Sequence, residues 1–158
     1  AILSAKAAGV KLILAGGKRR EPYFSKDLQP LINKEQIKDL GEVSEEKRLN
    51  LFKYARALLF PIQWEEPFGL VMIEAMACGT PVIAYPHGAV KEVVEHKKTG
   101  FIVNNVQEMV QAIKNINMID RKKCRERVEK YFTVEKMVDN YETIIKKLME
   151  RPKPKDRK

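Results

Sequence analysis

Pro61-Ile62-Gln63-Trp64-Glu65-Glu66-Pro67-Phe68-Gly69-Leu70-Val71-Met72-Ile73-Glu74-Ala75-Met76-Ala77-Cys78-Gly79-Thr80-Pro81 joins two short apolar runs, residues 57–62 and 81–85. The runs read as buried strands. Pro67 suits an early helix position, and Gly79 followed by Pro81 makes a stop. Between them, residues 68–78 are apolar on every side except at Glu74, the pattern of a helix buried all round. The stretch is therefore a strand–helix–strand unit, and strands apolar on both faces belong to a parallel sheet covered by helices.

Working outward, the same alternation continues in both directions. Lys11-Leu12-Ile13-Leu14-Ala15 reads as a strand ending at Gly16-Gly17, residues 37–43 contain a weaker one, and residues 100–103 a fifth. Helical patterns begin at Ser44, a good N-cap with Glu45 and Glu46 in the positive first turn, and cover residues 106–115 and a pair within 122–150. The expected class is α/β, a Rossmann-like doubly wound parallel sheet flanked by helices. Ligands of such sheets bind where strands end and helices begin. Three places qualify: Gly16-Gly17-Lys18, residues 63–69, and Pro86-His87-Gly88-Ala89. Gly16-Gly17 lacks the Gly-x-Gly-x-x-Gly spacing of a dinucleotide fingerprint and reads equally as a strand-ending turn.

Composition sets the outer limits. At 158 residues, with 44% hydrophobic and 32% charged side chains, the chain has the size and balance of one globular domain. No apolar run reaches the roughly 18 residues of a membrane span, and no signal peptide is visible. Two cysteines make neither a disulfide framework nor a metal-ligand spacing, which points to a reducing, cytoplasmic compartment. The net charge of +9 is uneven: residues 151–158 hold five basic side chains and one acidic, leaving +5 for the other 150 residues. That tail is expected to be disordered, so that residues 1–150 form the domain. No basic stripe with interleaved aromatics appears, which argues against nucleic acid as a partner.

Glu66 and Glu74 carry the chemistry. A carboxylate inside an apolar helix is expensive unless it is hydrogen-bonded. Glu74 therefore either lies on a narrow solvent strip, pairs with an arginine in the core, or binds a ligand. Glu66, before the helix, gains from the helix dipole even without a ligand. Taken together, the two stand eight residues apart, about 12 Å along a continuous helix. The free N–H groups of the first turn, roughly those of Phe68, Gly69, Leu70 and Val71, lie between them. Hydroxyl-binding carboxylates flanking an anion site match the shape of a nucleotide sugar.

At this point the sequence resembles a family. Residues 66–82, Glu-Pro-Phe-Gly-Leu-Val-Met-Ile-Glu-Ala-Met-Ala-Cys-Gly-Thr-Pro-Val, are similar to the Glu-x7-Glu signature of family 4 retaining glycosyltransferases of the GT-B fold. The similarity extends to Leu40-Gly41-Glu42-Val43-Ser44, Gly88-Ala89-Val90-Lys91-Glu92-Val93-Val94 and Thr99-Gly100-Phe101, and covers almost the whole chain before the tail. The resemblance implies that Glu66 contacts and positions the transferred sugar as the catalytic residue. It implies that the backbone N–H groups of Phe68, Gly69, Leu70 and Val71 hold sugar and diphosphate. Glu74 would receive the ribose hydroxyls, and the backbone near Val43 would meet the base of a UDP- or GDP-sugar. His87 reads as a turn residue or a phosphate contact. Ala89 stands where the family usually has a second glycine.

The resemblance also implies what the chain lacks. There is no Asp-x-Asp metal clamp, so neither metal nor cofactor is expected, the helix dipole and basic side chains serving the diphosphate instead. Anomeric configuration would be retained. Only the C-terminal, donor-binding lobe is recognisable. The N-terminal acceptor lobe, the first strand of the donor lobe and that strand's phosphate-gripping Arg and Lys are expected to be missing. In their absence, the strand ending at Ala15 would pair directly with the one starting at Ala57, or a neighbouring chain would supply pairing. The acceptor would be a sugar or a lipid-linked sugar, the latter bringing peripheral contact at the inner face of a membrane. A non-catalytic nucleotide-sugar or polysaccharide-binding module is the alternative.

Overall fold

A computed structural model describes residues 1–17, 22–33 and 35–150. Lys18 and the tail at 151–158 lie outside the described residues. The elements run α1 (Ile2–Ala8), β1 (Leu12–Leu14), a π turn (Phe24–Leu28) and a 3-10 turn (Gln29–Leu31), β2 (Ile37–Asp39), α2 (Glu45–Tyr54) and β3 (Leu58–Phe60). They continue as α3 (Leu70–Ala77), β4 (Val82–Ala84), α4 (Val90–Val93), β5 (Gly100–Ile102), α5 (Val106–Lys114), a 3-10 turn (Ile116–Met118), α6 (Arg121–Tyr131) and α7 (Val134–Met149).

All strand pairs are parallel, but they form two sheets rather than one. β1 pairs with β2, with Leu12 opposite Ile37; β3 pairs with β4 and β4 with β5, with Leu58 opposite Val82 and Val82 opposite Gly100. Direct pairing of the strand before Ala15 with the strand after Ala57 is thus corrected, because β1 and β3 are not hydrogen-bonded neighbours. The backbone phasing shows which groups face the unpaired edge of each sheet. Leu12 donates its N–H to Gln36 and Leu14 accepts from Leu40, so the groups of Ile13 point away from β2. Leu58 donates to Pro81 and Phe60 accepts from Tyr85, so those of Leu59 point away from β4.

The main core lies around β4, whose three residues are fully buried. Met72, Ile73 and Met76 of α3 meet Val90 and Val93 of α4, Met109 of α5 and Cys124 and Val128 of α6 in one contiguous cluster. A second, small cluster of Ile2, Ala5 and Ile37 holds α1 onto β1–β2. Four helix starts are capped by side chains among the described residues: Ser44 accepts from Lys47, Asn105 from Glu108, Asp120 from Lys122 and Thr133 from Lys136. Arg121 closes the other end of α2, donating to the carbonyls of Ala55 (2.7 Å) and Lys53 (2.9 Å) and to the Thr80 hydroxyl (2.9 Å). Among the described residues, no helix is long and apolar enough to cross a membrane.

A polar-capped turn shortens the weaker strand. β2 ends at Asp39, whose carboxylate accepts from the N–H of Gly41, and Gly16 donates to the Gly41 carbonyl at 2.8 Å. The Gly16-Gly17 turn and the loop leading to Val43 are thereby joined.

Candidate functional site

The site is assembled where β3 and β4 end. Its central helix starts later than the sequence pattern indicates. Gly69 takes a left-handed conformation (φ 72°) as the N-cap, and α3 begins at Leu70. Pro67 and Phe68 therefore precede the helix, and the estimate of Glu66–Glu74 separation along a continuous helix does not apply. The first helical bond runs from Met72 N–H to the Gly69 carbonyl (2.9 Å), so the N–H groups of Leu70 and Val71 are first-turn donors with no partner inside the helix. Burial all round holds for Met72, Ile73, Ala75 and Met76 but not for the first turn: Leu70 is 65% exposed and Phe68 is 44% exposed. The cause is position, since Leu70 sits at the mouth of the strand-end loops rather than between sheet and helices. Phe68 stacks edge-on against Phe132, with ring centroids 6.3 Å apart.

Glu66 lies half-buried in the loop after β3, where its Oε2 accepts from the indole N–H of Trp64 at 3.0 Å. Its neighbour Glu65 reaches across to the loop after β4. It accepts from the Gly88 N–H at 2.6 Å and lies 3.4 Å from Nδ1 of His87. Those contacts, the backbone N–H of Gly88 first and His87 second, hold the Glu65 carboxyl below its ordinary value. His87 is thus engaged by a carboxylate rather than left free in its turn.

The two loops touch through backbone. Ala89 N–H donates to the Glu66 carbonyl at 2.9 Å. A Cβ on Gly88, whose φ is +54°, would fall 2.1 Å from that same oxygen. Only glycine fits there. At the next position Ala89 has φ −69° and is buried, so the second glycine of the family pattern is not required by this backbone.

Glu74 sits on α3 with a third of its side chain exposed and receives Nη2 of Arg48, on α2, at 3.0 Å. Of the three possibilities open to it, pairing with an arginine is realised, although Arg48 is itself partly exposed rather than in the core. Val43 is half-buried just ahead of the Ser44 cap, so its backbone stands at the start of the helix that carries Arg48. The fold thus gathers Glu66, Phe68, Gly69, Leu70, Val71 and Glu74 on one loop–helix segment and ties Val43 to them through α2. Sequence reasoning marked the stretches that hold Trp64, Glu65 and Gly88 without giving those residues a role, and it missed Arg48. Trp64 and Glu65 adjoin Glu66 in sequence, but nothing in the spacing marks Arg48. Among the described residues, no group of three or more His, Cys, Asp or Glu side chains is placed to hold a metal ion.

With this geometry in view, comparison with known proteins is decisive. The family described as "Glycosyl transferases group 1" matches residues 1–134. The chain belongs to the group 1 glycosyl transferases. Its architecture is that of one lobe of their GT-B fold. N-acetyl-alpha-D-glucosaminyl L-malate synthase of Bacillus anthracis is 37% identical over 97 residues, 55% of this chain and 25% of that protein. Trehalose synthase of Pyrococcus horikoshii is 28% identical over 156 residues, 90% of this chain and 38% of that protein. Among solved structures, HepE of Anabaena in complex with UDP-glucose superposes with a TM-score of 0.74 at 25% identity, covering 95% of this chain and 44% of that one. The group 1 chain thus spans less than half of each of these proteins.

Proposed function

We propose that this chain is the donor-binding lobe of a retaining glycosyltransferase, which moves a sugar from a UDP- or GDP-sugar to a sugar or lipid-linked acceptor. One observation carries the reading. The N-terminal turn of α3, opened by left-handed Gly69, stands between two carboxylates, Glu66 and Glu74, each held by a single side-chain bond through one oxygen. The donor's diphosphate would lie against the N–H groups of Gly69, Leu70 and Val71, with Phe68 at the rim. Fixed dipoles there stabilise the negative charge that grows on the leaving group as the glycosidic bond breaks. Glu66, its carboxylate anchored by Trp64, orients the sugar through its hydroxyls. Glu74 accepts from the ribose, and the backbone at Val43 meets the base. The acceptor would attack on the face the nucleotide leaves, which preserves configuration, and its groups would come from a second lobe. That HepE was solved with UDP-glucose supports the donor class.

Calorimetric titration of the protein with UDP, GDP and their sugars, without added metal, tests the reading. One nucleotide is expected to bind, and Glu74→Ala to weaken it at least tenfold, as loss of a charged hydrogen-bond acceptor would. Equal binding by the Glu74→Ala variant, or no binding of either nucleotide, overturns it.

A further inference from the structure

The pairing of Arg48 with Glu74 is made in an unusual way for a structural ion pair. Arginine joins two elements best when Nε and one Nη meet both carboxylate oxygens side by side. Here a single bond runs from Nη2 to Oε1, at 3.0 Å. The Nε of Arg48 is buried and has no partner, and among the described residues Glu74 makes no other side-chain hydrogen bond. Both side chains are partly exposed, 41% for Arg48 and 32% for Glu74, where an ion pair adds little to stability. The pair therefore leaves a buried donor unmatched and does little to secure α2 to α3. What it does achieve is directional: one carboxylate oxygen is occupied, and the other keeps its full accepting capacity at the exposed side of α3.

We infer that Arg48 is a positioning residue for the nucleotide, holding Oε1 of Glu74 so that Oε2 is presented to the ribose diol. This rests on the donor-lobe reading given above. Without Arg48, Glu74 would be a partly exposed side chain with no partner to fix its rotamer, and each binding event would have to order it afresh. With Arg48 in place the carboxylate is ordered before the ligand arrives. Arg48 lies one helical turn beyond Ser44, its N–H donating to the Ser44 carbonyl at 2.9 Å. The same helix start thus sets both the backbone of Val43 and the aim of Glu74, which links the base end of the ligand to its ribose.

The test uses the nucleotide that binds best, UDP or GDP, and its 2′,3′-dideoxy analogue, titrated into the native protein and into Arg48→Met, Arg48→Lys, Glu74→Ala and the double variant. Arg48→Met is expected to weaken the ordinary nucleotide about tenfold while leaving affinity for the dideoxy analogue unchanged. Arg48→Lys should recover part of the loss, since an ammonium still holds one carboxylate oxygen, and the double variant should bind no more weakly than Glu74→Ala. Native affinity in Arg48→Met, or an equal loss for both ligands, overturns the inference. If Glu74→Ala weakens binding and Arg48→Met does not, only the role of Arg48 falls. If Glu74→Ala also binds normally, the ribose role of Glu74 falls and takes this inference with it.

Discussion

The two sheets differ in how they are held. β4 lies between β3 and β5 with helices above and below, and Val82, Ile83 and Ala84 are wholly removed from solvent. In β1–β2 only Ile37 is fully buried, while Ile13 stays 48% exposed and support comes from α1 and a few polar ties. One tie is the Gln36 side chain, which donates to the carbonyls of Ala5 and Val10, each at 3.1 Å. The contrast shows a division of labour. The loop–helix segment from Glu66 to Glu74 is mounted on the thick half. The loop to Val43 belongs to the thin half and is registered by hydrogen bonds more than by packing.

Large-to-small substitution should expose this difference most strongly. Met76→Ala in the main core is expected to remove about 4 kcal/mol in urea unfolding, and Ile37→Ala about 2 kcal/mol, because a small cluster collapses more readily around a cavity. Equal losses would break the comparison. The two cysteines give a second contrast, within the thick half itself. Burial pushes the Cys124 thiol up to about 11, and its Sγ lies 3.5 Å from the Thr99 carbonyl, so it should resist disulfide reagents at pH 8 until the protein unfolds. Cys78, half-buried at the end of α3, should be labelled in the native state. Two native labels would show the main core to be looser than its packing implies.

The smallest effect is a pH response confined to the loops. Since Glu65 titrates below its ordinary value of 4.5 when folded, its contribution is complete above that value and is lost as pH falls through the lowered one. The Gly88 amide resonance should therefore titrate with a midpoint below 4.5. A midpoint at or above 4.5 would mean that the contact between the loops is not held in solution.

Much of this was legible in advance because it is local. Apolar runs located four of the five strands, β2 being the weakly patterned exception, Gly79-Thr80-Pro81 ended α3, and Ser44 capped α2 as its side chain and acidic followers indicated. Helix onset was misplaced because Pro67 is compatible with a first turn, whereas the left-handed Gly69 defers that turn to Leu70. The weaker strand lies within residues 37–43 as expected and ends at Asp39, where the Asp39–Gly41 turn closes it. The split of the sheet and the grip of Arg48 on Glu74 depend on how separate elements meet in space, and no periodicity records that. Glu66 and Glu74 stand out in the sequence as carboxylates at either end of an apolar segment, but nothing there says which side chains steady them.

The glycine at 88 has a practical consequence for anyone who would recombine this chain with its relatives. Its backbone rests on Glu66, Ala89 donates to the same residue, and Glu65 reaches back to the Gly88 amide. The segments at 64–69 and 86–89 come from different strands yet form one interchangeable part. Grafting either alone would mate a foreign backbone to a surface that tolerates no extra carbon at Gly88, so the two segments have to be exchanged as a matched set.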